Sequence, residues 1–255
     1  MLTYLIELMI FIFGICMGSF LNVCICRLPG SNSIITPARS ICPNCKNFIK
    51  FYDNIPILSY MWLKGRCRHC GFSIAFRYLL VELLGGFFAL CIYFKFGITI
   101  EAFVYYALIL SLIVITFIDI DHQIIPDVIT LPGIPIFFLA SFTLAAITYK
   151  DSLLGILIGG GSLLLIAETY NFLTKKEGMG GGDIKLLAMI GAALGWEGVL
   201  FTIFIGSAIG TLIGIILMLH THKGLKFAIP FGPFLSMGAI SYIFFGSSII
   251  DWYLN

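Results

Sequence analysis

Stretches of roughly 20 apolar residues recur along most of this 255-residue chain, and each is long enough to cross a lipid bilayer as a helix. Charged residues make up 11 % of the sequence and hydrophobic ones 60 %, where a soluble domain carries about 25 % charged residues. The mean hydropathy is +1.04. The fold class expected is therefore an all-α polytopic membrane protein of about eight transmembrane helices, with one small cytoplasmic loop domain. The net charge of +2 carries no basic footprint for nucleic acid.

The eight spans are expected at about 3–26, 76–94, 102–118, 128–148, 152–173, 184–196, 198–219 and 228–249. The sixth is short and rich in small residues (Ala188, Gly191, Ala192, Ala193, Gly195), which lets backbones approach closely in lipid. An alternative joins it to the seventh as one broken span. The first segment lacks a basic leader and an Ala-x-Ala site, so it reads as a retained helix and not a signal peptide. Eight spans put thirteen of the fifteen Lys and Arg residues on one side and leave only Lys95 and Lys150 on the other. By the positive-inside rule the first side is cytoplasmic and both termini face out. The chain divides into a first helix (1–26), a cytoplasmic loop (27–77) and a bundle (78–255).

The loop holds "CPNC" (Cys42, Cys45) and "CRHC" (Cys67, Cys70), separated by 21 residues. Two residues between thiolates let one turn present both sulfurs to a tetrahedral ion. The spacing is slightly longer than the usual four-cysteine zinc pattern, and a reducing cytosol disfavours disulfides. A closed structural Zn2+ site is expected, whose binding energy would fold the loop. Unmetallated thiols are the plainer alternative. Cys16, Cys24, Cys26 and Cys91 lie in apolar spans and read as small hydrophobes.

The acids in apolar surroundings are the other candidates. Asp119 stands at the cytoplasmic end of the third span and Asp183 at the start of the sixth. Two carboxylates brought together can share one proton, one acting as acid and the other as base toward a water that attacks a peptide carbonyl. Separate solvated caps are the plainer alternative. The positive end of a helix dipole would favour the anion at Asp183, and the negative end the protonated form at Asp119. Asp121 and Asp127 read as structural, Asp127 as an N-cap. Glu82 is expected to meet Arg27 or Arg77. Glu7 and Glu168 have no assigned role, and His122, His220 and His222 read as solvated interface residues.

Together the motifs "GSFLNVCICRLP" (Gly18–Pro29), "DNIPILSY" (Asp53–Tyr60), the two cysteine pairs, "IDIDHQIIPD" (Ile118–Asp127), "EGMGGGDIKLLAMIGA" (Glu177–Ala192) and "IPFGPFL" (Ile229–Leu235) resemble the type IV prepilin peptidases. The resemblance covers almost the whole chain. One departure is "FRYLLVE" (Phe76–Glu82), where the family often has Tyr-Pro. The resemblance implies an aspartic endopeptidase in the bacterial inner membrane with Asp119 and Asp183 as catalytic pair and Gly180 and Gly182 in the active-site loop. The enzyme would cut the basic leader of prepilins and pseudopilins after Gly, at the cytoplasmic face. It would then methylate the new N-terminal residue with S-adenosylmethionine. For that second activity the resemblance points to the zinc-held loop, with Asp53, Asn54, Gly65, Arg66 and Glu82 as candidates. No Rossmann-type glycine signature marks a donor site. Two competing classes are an ion transporter, which would carry acids near mid-bilayer, and a non-catalytic scaffold of a secretion machine.

Overall fold

A computed structural model describes residues 2–30, 40–175, 180–221 and 230–254. Arg39, Lys176, Glu177, His222, Lys223, Lys226 and Ile229, used above for orientation and motifs, lie outside the described residues. Those described are mainly helical, with two isolated β-bridges and no strand. Five helices are long and apolar enough to cross a membrane, and Asp127–Ala140 and Gly232–Gly246 are shorter apolar helices. The chain forms two compact units, Met1–Ile98 and Thr99–Asn255.

The first unit contains α1 (Leu2–Arg27), the short α2 (Leu58–Trp62) and α3 (Phe76–Phe96). Helices α1 and α3 are antiparallel and touch backbone to backbone. A Cβ on Gly14 would lie 2.7 Å from the Gly85 carbonyl oxygen and the Gly86 Cα, and one on Gly18 would lie 2.6 Å from the Glu82 Cα. Gly14 and Gly18 are four residues apart and so share a helix face. Small residues at that spacing give a close crossing where lipid supplies no hydrophobic drive. Asn22, 6 % exposed, adds a bond from its Nδ2 to the Tyr78 carbonyl oxygen at 2.9 Å.

The second unit contains α4 (Ile100–His122), α5 (Asp127–Ala140), α6 (Tyr149–Thr174), α7 (Gly181–Thr221) and α8 (Gly232–Leu254). Leu108, Ile109, Leu112, Ile115 and Ile118 of α4 are fully buried. Thr99 caps α4, its hydroxyl accepting from the Ala102 N–H at 3.2 Å. Thr148 and Asp151 form a reciprocal capping box on α6, which satisfies two of the helix's orphan donors.

The fourth span is shorter than expected, since α5 ends at Ala140 and not near 148. Ser141 and Thr143 turn their hydroxyls onto the Phe138 and Ala140 carbonyls at 2.7 and 2.8 Å, which closes the helix end. The sixth and seventh expected spans form one element, α7, broken at Gly195 (φ 73°, ψ −178°). A straight helix would separate Gly191 from Val199 by about 12 Å. Here a Cβ on Gly191 would lie 2.9 Å from the Val199 Cγ2, so the chain folds back on itself at Gly195. Both Gly155 and Gly159 of α6 enter this bend, Gly155 against Gly191 and Gly159 against Leu187 and Val199.

Candidate active site and cysteine knuckle

Asp119 lies in the last turn of α4, where its backbone carbonyl receives the N–H of Gln123, the left-handed residue that ends the helix. Its side chain is only 5 % exposed. The Oδ2 accepts the Gly232 N–H at 2.9 Å. Gly232 opens α8, so a free donor at a helix start meets a buried carboxylate. There is no room for a side chain at that position, because a Cβ on Gly232 would lie 2.7 Å from the same Oδ2.

Asp183 lies in the first turn of α7, half-buried, its N–H bonded to the Gly180 carbonyl at 3.2 Å. Ile125 joins the two halves of the site. Its Cδ1 would lie 3.4 Å from a Cβ on Gly232, and its Cβ 2.8 Å from a Cβ on Gly182. The residue next to Asp183 and the residue bonded to Asp119 thus pack on one side chain. This shared contact sets the last turn of α4, the first turn of α7 and the start of α8, and so the two carboxylates, beside one another. A water held between such a pair has a base on one side and an acid on the other.

The glycines do not contribute alike. A Cβ on Gly180 or Gly181 would meet no described atom within 4 Å, whereas Gly182 cannot carry one without moving Ile125. None of the three is among the glycines of positive φ. At Gly182 the requirement is therefore space and not an unusual backbone angle. Asp127 is the first residue of α5 and Pro126 its N-cap, so the expected Asp127 cap shifts by one position. Instead the Asp127 carboxylate takes Lys185 Nζ at 2.8 Å on both oxygens. This pair ties the start of α5 to the start of α7, two residues after Asp183. Asp121 and Glu168 are exposed and Glu7 half-exposed. The helix-dipole argument no longer separates the two acids, because Asp119 also faces a helix start through Gly232.

In the first unit, Cys42, Cys45, Cys67 and Cys70 come together with all four Sγ atoms within 4.8 Å of one another. The Cys42 and Cys70 sulfurs are 3.8 Å apart, the edge of a tetrahedron with Zn–S bonds of about 2.3 Å. The donor set therefore fits a tetrahedral thiolate-bound metal. Each pair sits in the same small knuckle. Cys42 N–H bonds the Asn47 carbonyl at 3.0 Å, and Cys67 N–H bonds the Phe72 carbonyl at 2.8 Å. Lys46 (φ 56°) and Gly71 (φ 70°) take the left-handed position after each pair. The Phe72 N–H, aided by the Asn44 amide, pulls the Cys70 thiol down to about 6, and the Cys45 N–H lowers Cys42. Cys45 stands at about 11. The Asn47 N–H lowers it, but burial and the neighbouring sulfurs outweigh that pull, as expected where like charges crowd one site.

The five methyl-transfer candidates separate. Asp53, Asn54 and Glu82 line a cavity of about 270 Å³ in the first unit, with Asn22 and Tyr78. Gly65 (φ 65°) packs instead against Tyr60, and Arg66 sits in the second knuckle, bridged to Ser73. Asp53 is held by Arg68 (Nη2–Oδ1 2.6 Å), whose guanidinium keeps the carboxyl below its usual range. Glu82 Oε2 accepts the Ile57 N–H at 2.8 Å. Asn22, Ser19 and Tyr78 were not singled out from the sequence. Their signal is the polar end of two otherwise apolar spans.

Two family models match the chain: the bacterial peptidase A24 N-terminal domain over residues 12–96 and the type IV leader peptidase family over residues 106–215. A prepilin leader peptidase/N-methyltransferase of Myxococcus xanthus is 38 % identical over 86 % of this chain and 65 % of its own length. One of Aeromonas salmonicida is 36 % identical over 100 % of this chain and 96 % of its own. Another, of Pseudomonas aeruginosa, is 33 % identical over 95 % and 91 %. No solved structure matches the chain.

Proposed function

The chain belongs to the type IV leader peptidase family, and from that premise we propose that it is a membrane enzyme with two activities. It cleaves the basic leader of type IV prepilins and pseudopilins after Gly, then N-methylates the exposed residue, usually Phe, with S-adenosylmethionine. Asp119 and Asp183 are the catalytic pair and Gly180 and Gly182 belong to their loop. The observation that carries this reading is the convergence on Ile125 of Gly232, bonded to the buried Asp119, and Gly182, beside Asp183. The close small-residue contacts of α6 and α7 support a bundle able to pack a substrate helix.

The protein resides in the bacterial inner membrane and crosses it eight times, with the Asp pair at the cytoplasmic face and both termini outside. The reversal at Gly195 and the bias of basic residues support this topology. Residues 27–77 form the methyltransferase-associated loop and the bundle 78–255 carries the peptidase. Cys42, Cys45, Cys67 and Cys70 hold a structural Zn2+, supported by their tetrahedral spacing. Asp53, Asn54, Gly65, Arg66 and Glu82 serve methyl transfer, directly or by shaping the loop.

The test is incubation of the detergent-solubilised protein with a prepilin. Asp119→Asn and Asp183→Asn each lower cleavage by about 1,000-fold or more, while methylation of a precleaved pilin remains measurable. Either variant cutting at the wild-type rate would sink the dyad.

A further inference from the structure

Residues Pro56–Leu58 form a turn of a rare kind. The Leu58 N–H bonds back to the Pro56 carbonyl at 2.6 Å. Between them Ile57 takes φ 63°, ψ −54°, the strained hand of the γ-turn. Positive φ in a β-branched residue is an outlier that costs of order 1–3 kcal/mol. Such a conformation persists only where its surroundings hold it. Here the holder is Glu82, whose Oε2 takes the Ile57 N–H at 2.8 Å; Ser19 of α1 lines the same cavity. Two separate segments thus meet at one carboxylate, the loop through Ile57 and α3 through Glu82 itself, and α1 packs beside them, where a Cβ on Gly18 would lie 2.6 Å from the Glu82 Cα.

Glu82 lines the 270 Å³ cavity. A carboxylate has about four acceptor sites, and the Ile57 N–H takes one of them. The other acid there, Asp53, is occupied by Arg68 through contacts of 2.6–3.0 Å. Glu82 is therefore the carboxylate of this cavity available to a cation. The volume lies just under the usual range for whole ligands, which suits the reacting ends of two substrates better than either in full.

We propose that this cavity is the methyl-transfer site and that Glu82 is its catalytic base. The step rests on the reading that the first unit carries methyl transfer. A pilin's new terminus arrives as an ammonium, which has no lone pair. One proton passes to Glu82, freeing the nitrogen. The nitrogen attacks the methyl carbon of S-adenosylmethionine, the C–N bond forms, the C–S bond breaks and the sulfonium leaves as a neutral thioether. The product is a protonated secondary amine, and Glu82 releases its proton to water. Both cationic substrates are favoured beside an anionic carboxylate. The strained turn sets that carboxylate in place.

The deciding variant is Glu82→Gln. A Gln oxygen still accepts the Ile57 N–H, so the turn is kept while the base is removed. Methyl transfer to a precleaved pilin should fall about 100-fold or more in kcat, and the KM for S-adenosylmethionine should rise as the anion beside its sulfonium is lost. Cleavage of prepilin by the same preparation reports that the chain has folded. Full methyl transfer by Glu82→Gln in folded protein overturns the proposal, because a purely structural pin is rescued by Gln. Ultraviolet cross-linking of labelled S-adenosylmethionine to wild-type protein is the second measurement and needs no variant. Adducts within 19–27, 53–60 or 78–82 support the site, and adducts confined to Thr99–Asn255 overturn it. A wild-type protein that cleaves but does not methylate removes the parent reading and this one together, whereas a methylating wild type with an equally active Glu82→Gln removes only this one.

Discussion

Gly232 shows how much a missing side chain can matter. Its N–H holds Asp119 Oδ2 at 2.9 Å, and a Cβ would sit 2.7 Å from the same oxygen. Gly232→Ala must therefore shift the carboxylate or the start of α8. Misplacing a reacting group by about 1 Å costs about 100-fold. Expected is a drop of that order in kcat for prepilin cleavage with KM little changed, read in steady-state assays. Unchanged kcat would show that cleavage does not need the Asp119–Gly232 bond. The sequence marked Gly232 only as part of "IPFGPFL", because neither a donor's target nor the space above a Cα is written in local sequence. Gly182 is the converse case. It stood out as part of a glycine run, but which of the three glycines is crowded depended on Ile125, 57 positions earlier in the chain.

Among elements, the most informative are those where glycines press helices together. A Cβ on Gly191 would collide with the Gly155 backbone, whereas one on Gly161 of the same α6 meets no described atom within 4 Å. Gly191→Leu should then destabilise by about 1–3 kcal/mol or more as overpacking, seen as a lower midpoint of thermal unfolding in detergent. Gly161→Ala is expected to be neutral or to stabilise by up to about 1 kcal/mol, through the lower entropy cost of ordering Ala. Equal midpoints for the two would refute the crossing. Helix existence was readable from apolar length. The end of α5 was not, since Ser141 and Thr143 stop it by bonding local carbonyls within a run whose hydropathy continues. The break at Gly195 was half-readable: small residues signalled close packing, but the reversal required α6 to fill the bend.

For the whole molecule, the two units differ in what holds them. Between Ser40 and Ala75 only Cys42 and Gly65 are buried, so the knuckles have no hydrophobic core. An ion held by the four thiolates would supply their order, together with a few short bonds. Chelation, or Cys67→Ser, should remove one metal per chain and open residues 40–75 to limited proteolysis. The second unit, with its buried α4 and α7 residues, should remain protected under the same conditions. Metal content and peptide mapping check both. A protease pattern unchanged after complete metal loss would mean that the loop folds on its own contacts.

By itself the sequence determined the membrane class, the positions of most helices, the four-cysteine cluster and the two acids to examine. These follow from properties that are local or additive: apolar length, charge, and ligand spacing within one turn. Only the tertiary structure decided that Asp119 faces the start of α8, that Gly182 is the crowded glycine and that α7 reverses at Gly195. It also decided that Glu82 holds a strained turn beside a cavity. Each of these depends on contacts between residues distant in the chain, where close packing and hydrogen-bond geometry, not composition, select the partner.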